Sequence, residues 1–261
     1  MPRSPMTVRS HRFTHDIEAL SITTTDGVRL AGTRVGTADP AVVFCHGFMG
    51  WHRKPRVGRL VETLSTWFTV YACDLRGHGR SGGTCTFGDR EILDVDAVLR
   101  EARGRGHSQI ATIGASMGGI AVLRHAALMG GVDAVVGISV PARWEGHGSP
   151  AVRRMQWMTT TPRGRRLCRA LGVRLDTGWN DPEAPEDVVH KIAPTPLVVV
   201  HGHDDHYFDD EEAWRLYRRA GEPKRLLLAS RFGHAEDGFS PAFAERIART
   251  LSQVLGRAWP E

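Results

Sequence analysis

A chain of 261 residues with 41 % hydrophobic and 24 % charged residues has the balance of a soluble globular protein. It is long enough to bury roughly 70–75 % of its unfolded surface without staples, so disordered and collagen-like classes are excluded. Its net charge of +5 is modest for this length and falls short of a nucleic-acid signature, although only Lys54, Lys191 and Lys224 of the 34 basic residues are lysine.

Met1 to Phe13 carries Arg3, Arg9 and Arg12 with no apolar segment behind them, unlike a secretory signal. The longest apolar runs, such as Pro196 to Val200, are too short to span a bilayer. The expectation is a cytoplasmic protein without a transmembrane segment. Cys45, Cys73, Cys85 and Cys168 show no CxxC spacing, which argues against structural zinc and a disulfide framework.

Ile17 to Val35 reads as two strands joined at Asp26-Gly27, a dipeptide that favours a tight hairpin turn. Thereafter Ala41 to Cys45, Phe68 to Cys73, Ile110 to Ile113, Val132 to Ile138 and Leu197 to Val200 are continuously apolar, as strands covered on both faces should be. Between them Val57 to Trp67, Arg90 to Arg103 and Ile120 to Met129 repeat apolar residues at helical spacing. Leu226 to Ala229 supplies a last strand and Pro241 to Leu255 a last helix.

This alternation predicts an α/β fold: a mostly parallel central sheet with helices on both faces. Pro141 to Pro194 breaks the rhythm, with no clear strand, several prolines, much arginine, and the apolar residues Met155, Trp157, Met158 and Trp179. Residues 141–194 are therefore expected to form a small lid, with 1–140 and 195–261 as the core. Trp144, Trp157 and Met158 are its candidate substrate contacts. Between Arg143 and Arg174 it holds eight arginines against Glu145 alone, which suits either an anionic group or surface, or simply a solvated exterior.

Gly114-Ala115-Ser116-Met117-Gly118 follows one apolar run and precedes a helical stretch. A serine in a strand-to-helix turn adopts a strained backbone that lifts its hydroxyl above the sheet, and small residues two before and two after it prevent collision. The Met117 N–H, at a helix N-terminus, would then face an oxyanion.

On these residues the chain resembles the α/β-hydrolase family, from roughly Leu20 to Leu255. His46-Gly47-Phe48-Met49-Gly50 is similar to the loop that supplies the second oxyanion donor, which implies the Phe48 N–H for that role. His46 then shapes the loop; a second catalytic base is the rival reading. Asp74-Leu75-Arg76-Gly77-His78-Gly79-Arg80-Ser81 matches the family's D-x-R-G-x-G-x-S turn, taken as structural.

The family order of serine, acid and histidine implies Ser116 as nucleophile and Asp205, after His201-Gly202-His203-Asp204, as the acid, with Asp204 its neighbouring competitor. Arg231-Phe232-Gly233-His234 resembles the family's G-H turn and assigns the base to His234.

His201 to His206 also fits the H-x-H-x-D-H pattern of zinc hydrolases of the metallo-β-lactamase fold, but the further histidines that family needs do not follow. No metal or cofactor is expected. The reading is a serine hydrolase acting on a small-molecule acyl substrate, most simply a carboxylic ester. A thioesterase, another acyl or C–C bond hydrolase, and a non-catalytic binding module on the same fold are the alternatives, and the oligomeric state stays open.

Overall fold

Alternating residues in Ile17 to Val35 form β1 (Ile17–Thr23) and β2 (Arg29–Val35), paired antiparallel with Ile17 opposite Val35. β2 then pairs antiparallel with β4 (Thr69–Cys73). From there the sheet is parallel through β3 (Ala41–Cys45), β5 (Ile110–Ala115), β6 (Ala134–Ile138), β7 (Leu197–Gly202) and β8 (Lys224–Ala229). The eight strands run in the order β1-β2-β4-β3-β5-β6-β7-β8. This computed structural model describes residues 10–145, 148–178 and 180–258, so Arg3, Arg9 and Trp179 lie outside the described residues.

The apolar runs are continuous because both faces of the sheet are covered. In β3, Val42 and Phe44 pack beneath α1 (Pro55–Leu64) and α8 (Pro241–Val254), while Ala41, Val43 and Cys45 face the opposite layer. That layer is built from α2 (Glu91–Gly104), α3 (Met117–Leu128) and α7 (Asp210–Arg219). In α1, Val57, Leu60, Val61 and Leu64 form the buried stripe, each apolar side chain stabilising the fold by roughly 1.5–3 kcal/mol.

The segment between β6 and β7 contains α4 (Pro150–Thr160), α5 (Pro162–Ala170) and the short α6 (Pro185–Val188). Ser149 and Thr161 cap α4 and α5 through their hydroxyls, each followed by a proline at the first helical position. Among the described residues this segment has no strand, only a bridge of Leu175 to Cys85. The helix α7 leaves no apolar periodicity in the sequence: DEEAWRLYRR is mostly charged, and its buried face is only Glu212, Ala213 and Leu216.

The D-x-R-G turn is cross-braced. Asp74 Oδ1 accepts from the His52 N–H at 2.9 Å and its Oδ2 from the Arg80 N–H at 2.9 Å. Arg76, fully buried, pairs with Asp94 of α2 at 2.8 Å and with Asp26 of the hairpin turn at 2.8 Å. Hydrogen bonds from Arg76 hold the Asp26 carboxyl down at about 2. With its folded pKa depressed, Asp26 contributes stability above its ordinary value of 3.8 and loses it as pH falls toward about 2.

Burial pushes the Asp94 carboxyl up to about 7, and its Oδ2 also accepts from the Arg76 N–H at 2.7 Å. Arg76→Ala leaves this buried acid without its cation and should cost about 3–5 kcal/mol, whereas Arg76→Met with Asp94→Asn, which keeps an acceptor for that N–H, should recover part of the loss. Urea unfolding of the two variants checks this, and equal losses would mean that the charge pairing at this turn is not what matters.

Candidate active site

Ser116 occupies the single residue between β5 and α3, with φ 52° and ψ −117°. Such a conformation costs of order 1–3 kcal/mol in a non-glycine residue, and the surroundings impose it. Its N–H donates to the Ile138 carbonyl at 2.8 Å and its carbonyl accepts from the Ile120 N–H at 3.0 Å. A Cβ on Gly114 would lie 2.2 Å from the Gly118 carbonyl oxygen, and one on Gly118 would lie 2.3 Å from the Cys45 carbonyl oxygen. Main chain meets main chain here, so both flanking positions require glycine. The helix begins at Met117 rather than at Ile120, which leaves the Met117 N–H in the first turn without a helical acceptor.

Across the sheet edge, His234 Nε2 lies 2.9 Å from Ser116 Oγ, and His234 Nδ1 lies 2.7 Å from Asp205 Oδ2. The Asp205 side chain is fully buried. Burial raises its pKa, but the hydrogen bond and charge of His234 and the backbone N–H groups of Tyr207 and Phe208 outweigh it and leave the carboxyl below its ordinary value. An ionised carboxylate only accepts, so Nδ1 carries the imidazole proton. Nε2 is then free to accept the Ser116 hydroxyl proton. Asp204 is exposed, and His234 is hydrogen-bonded to its neighbour Asp205 instead.

Residues with no motif of their own hold this chain of bonds. Ser139, at φ 51° beyond the end of β6, accepts through its hydroxyl from the Ala235 N–H at 3.0 Å, pinning the loop next to His234. The Tyr207 ring lies 4.4 Å from that of His234. Glu212, buried in α7, accepts from the Ala142 N–H at 2.7 Å and the Arg143 guanidinium at 3.1 Å, anchoring the start of the β6–β7 segment. Nothing short of the fold brings Ser139 to Ala235 or Glu212 to Ala142.

His46 is buried, donates from Nδ1 to the Gly47 carbonyl at 2.8 Å, and accepts at Nε2 from the Leu75 N–H at 3.0 Å. Burial lowers its pKa to about 3, so it is neutral and serves as a brace between two loops. That bracing brings Gly47 against Ser116, with a hypothetical Cβ on Gly47 only 3.4 Å from the serine Cβ. His78, buried, is likewise held neutral by desolvation, at about 4.

Two cavities meet at Ser116. One, of about 680 Å³, runs along the His234 side past Lys54, Arg154, Met155, Met158 and Leu171. The other, of about 410 Å³, lies over Phe87, Met117, Ile120, Trp144, Val152 and Met155. Phe48 borders both. Trp144 and Met158 thus reach a cavity wall, while Trp157 is 46 % exposed and lines neither. The reason is helical phase: Val152, Met155 and Thr159 share the inner face of α4, and position 157 falls on the outer one.

The histidines of the His201 to His206 run diverge. His201 is buried against the Phe208 carbonyl at 3.1 Å, and exposed His203 pairs with Asp210 at 2.6 Å. Asp205 is engaged by His234, and His206 is exposed against Tyr207. Among the described residues no group of three or more potential ligands converges on a metal site.

Gly118→Ala should destabilise the fold by about 1–3 kcal/mol through overpacking, whereas Gly82→Ala, where the nearest atom is 3.6 Å from the added Cβ, should not. Thermal unfolding of the two variants tests whether the turn is as tight as described, and equal midpoints would show that it is not.

The sequence matches the Alpha/beta hydrolase family over residues 42–258. It is 27 % identical over 239 residues to the uncharacterized protein YfhR of Escherichia coli (strain K12), covering 85 % of this chain and 75 % of the relative. Among solved structures, the esterase Pf2001 of Pyrococcus furiosus superposes with a TM-score of 0.75 at 23 % identity, covering 97 % of each chain. The esterase RhEst1 of Rhodococcus sp. ECU1013 superposes with a TM-score of 0.72 at 18 % identity, covering 90 % of this chain and 99 % of the other. With the match spanning most of the chain and the sheet order and turn geometry agreeing with it, the chain belongs to the alpha/beta hydrolase family.

Proposed function

We propose that this protein is a serine hydrolase that cleaves a carboxylic ester through an acyl-enzyme, with Ser116 as nucleophile, His234 as general base and Asp205 as the orienting acid. The observation that carries the reading is the continuous hydrogen-bonded chain from Asp205 through His234 to Ser116. A serine hydroxyl is a weak nucleophile until a base within hydrogen-bond reach takes its proton, and the base must be held in the right tautomer.

In this mechanism Ser116 Oγ attacks the ester carbonyl as His234 Nε2 takes its proton. The Phe48 and Met117 N–H groups donate to the oxyanion, and Asp205 stabilises the imidazolium. The intermediate collapses, the alcohol leaves with the proton from His234, and the acyl group remains on Ser116. Water activated by His234 then releases the acid. Residues 141–194 are taken as a lid over this site, and the cavity lined by Phe87, Ile120, Trp144 and Val152, with Arg143, Arg165 and Asp176 also in its wall, as room for the acyl group. A thioester would be handled by the same steps.

Ser116→Ala should lower kcat by about 10⁴–10⁶ while the fold survives. A mutant that keeps more than about a tenth of the activity would defeat the serine mechanism. Fluorophosphonate labelling separates an enzyme from a non-catalytic binding module, since the module stays unlabelled.

Asp205→Asn should damage kcat far more than Asp204→Asn, because the amide can hold the wrong imidazole tautomer and cannot offset the imidazolium charge. Steady-state kinetics of both variants on one ester decide between them, and equal effects would leave Asp205 without the assigned role.

A further inference from the structure

Some surface arginines have acidic partners, such as Arg100 with Asp96 at 2.9 Å, Arg218 with Glu211 at 2.9 Å, Arg219 with Glu186 at 3.6 Å and Arg249 with Glu245 at 3.3 Å, while others, such as Arg59, Arg90, Arg231 and Arg246, are scattered singly without one among the described residues. On α4 and α5 the exposed Arg153, Arg154, Arg163, Arg166 and Arg169 form no ion pair among the described residues. No acidic residue occurs between Glu145 and Asp176. An arginine-rich composition accounts for the arginines here but not for the exclusion of acids from this one stretch.

The same two helices expose large apolar side chains: Trp157 at 46 %, Leu167 at 42 % and Leu171 at 42 %. Arg153 and Arg154 stand four and three residues before Trp157, on its face of α4. Arg163 and Leu167 of α5 and Leu171 at its C-cap follow one another at intervals of four. Tryptophan and leucine among arginines is the composition of a surface that sits at the boundary between headgroups and acyl chains, with the guanidinium groups reaching for phosphates. Among the described residues no helix is long and apolar enough to cross a membrane.

We propose that the outer face of α4 and α5 docks this protein on an anionic lipid bilayer, its arginines at the headgroups and Trp157 and Leu167 in the interfacial layer. Charge complementarity selects the occupant: an unpaired cluster of one sign gains by approaching a surface of the opposite sign, while a neutral bilayer offers only the small apolar area. Arg154 and Leu171 also line the cavity on the His234 side of Ser116. Docking by this face brings the mouth of that cavity to the membrane, where apolar esters concentrate.

The test is co-sedimentation of the full chain with vesicles of phosphatidylcholine alone and of phosphatidylcholine with phosphatidylglycerol, at low and high salt. Binding is expected on the anionic vesicles only, weakening with salt as the charges are screened. Replacing Arg153, Arg163, Arg166 and Arg169 by Gln should weaken it by about tenfold or more. Replacing Arg100, Arg218, Arg219 and Arg249 by Gln removes the same charge elsewhere and should preserve it. Trp157→Ala with Leu167→Ala, which leaves the charge intact, should weaken it severalfold, and circular dichroism verifies that each variant is folded. The proposal is overturned if the wild type ignores anionic vesicles or binds neutral ones equally. Equal losses in the two arginine sets, unchanged binding after the Trp157 and Leu167 changes, or binding to a short single-stranded RNA without binding to vesicles would also overturn it.

Discussion

The turn between β5 and α3 is the constraint on which the rest of the site depends. Gly114 and Gly118 meet carbonyl oxygens at distances that admit no Cβ, and Ser116 is held between them at positive φ. Because β3, β5, β6 and β7 run parallel, their C-terminal ends share one edge of the sheet. The His46 loop, the Ser116 turn, Ser139 and Asp205 all emerge there. The turn therefore sets a fixed point toward which loops distant in sequence converge, and His234 completes the arrangement from beyond β8.

Much of this was legible in the sequence because it rests on local rules. Buried parallel strands must be continuously apolar, so β3 and β4 could be read almost to the residue. A glycine on either side of a serine between a strand and a helix is a packing requirement that leaves a local signature. Asp204 and Asp205 are neighbours that only the spacing of the turn distinguishes in sequence; in the fold the side chain of Asp205 is fully buried against His234, while Asp204 faces solvent.

What could not be read arises from contacts between segments far apart. The helix α7 hides because a carboxylate, Glu212, occupies its buried face to receive the Ala142 N–H, so its apolar periodicity is broken for a reason outside the helix. Ser139 and Ala235 have no motif linking them. Trp157 was a natural candidate for substrate contact by residue type, but helical phase directs it outward. Its exposure becomes meaningful only with the unpaired arginines around it, and it moves from the interior chemistry of the protein to its surface chemistry.

The central claim is that Ser116 becomes covalently acylated during turnover. Rapid acid quench of the enzyme during hydrolysis of an activated ester, followed by mass spectrometry of the peptide spanning the β5–α3 turn, measures this directly. The account predicts a mass increase equal to the acyl group on Ser116, formed within the first turnover and lost as product appears. Full turnover with no adduct on that peptide, or with the adduct on another residue, would contradict it.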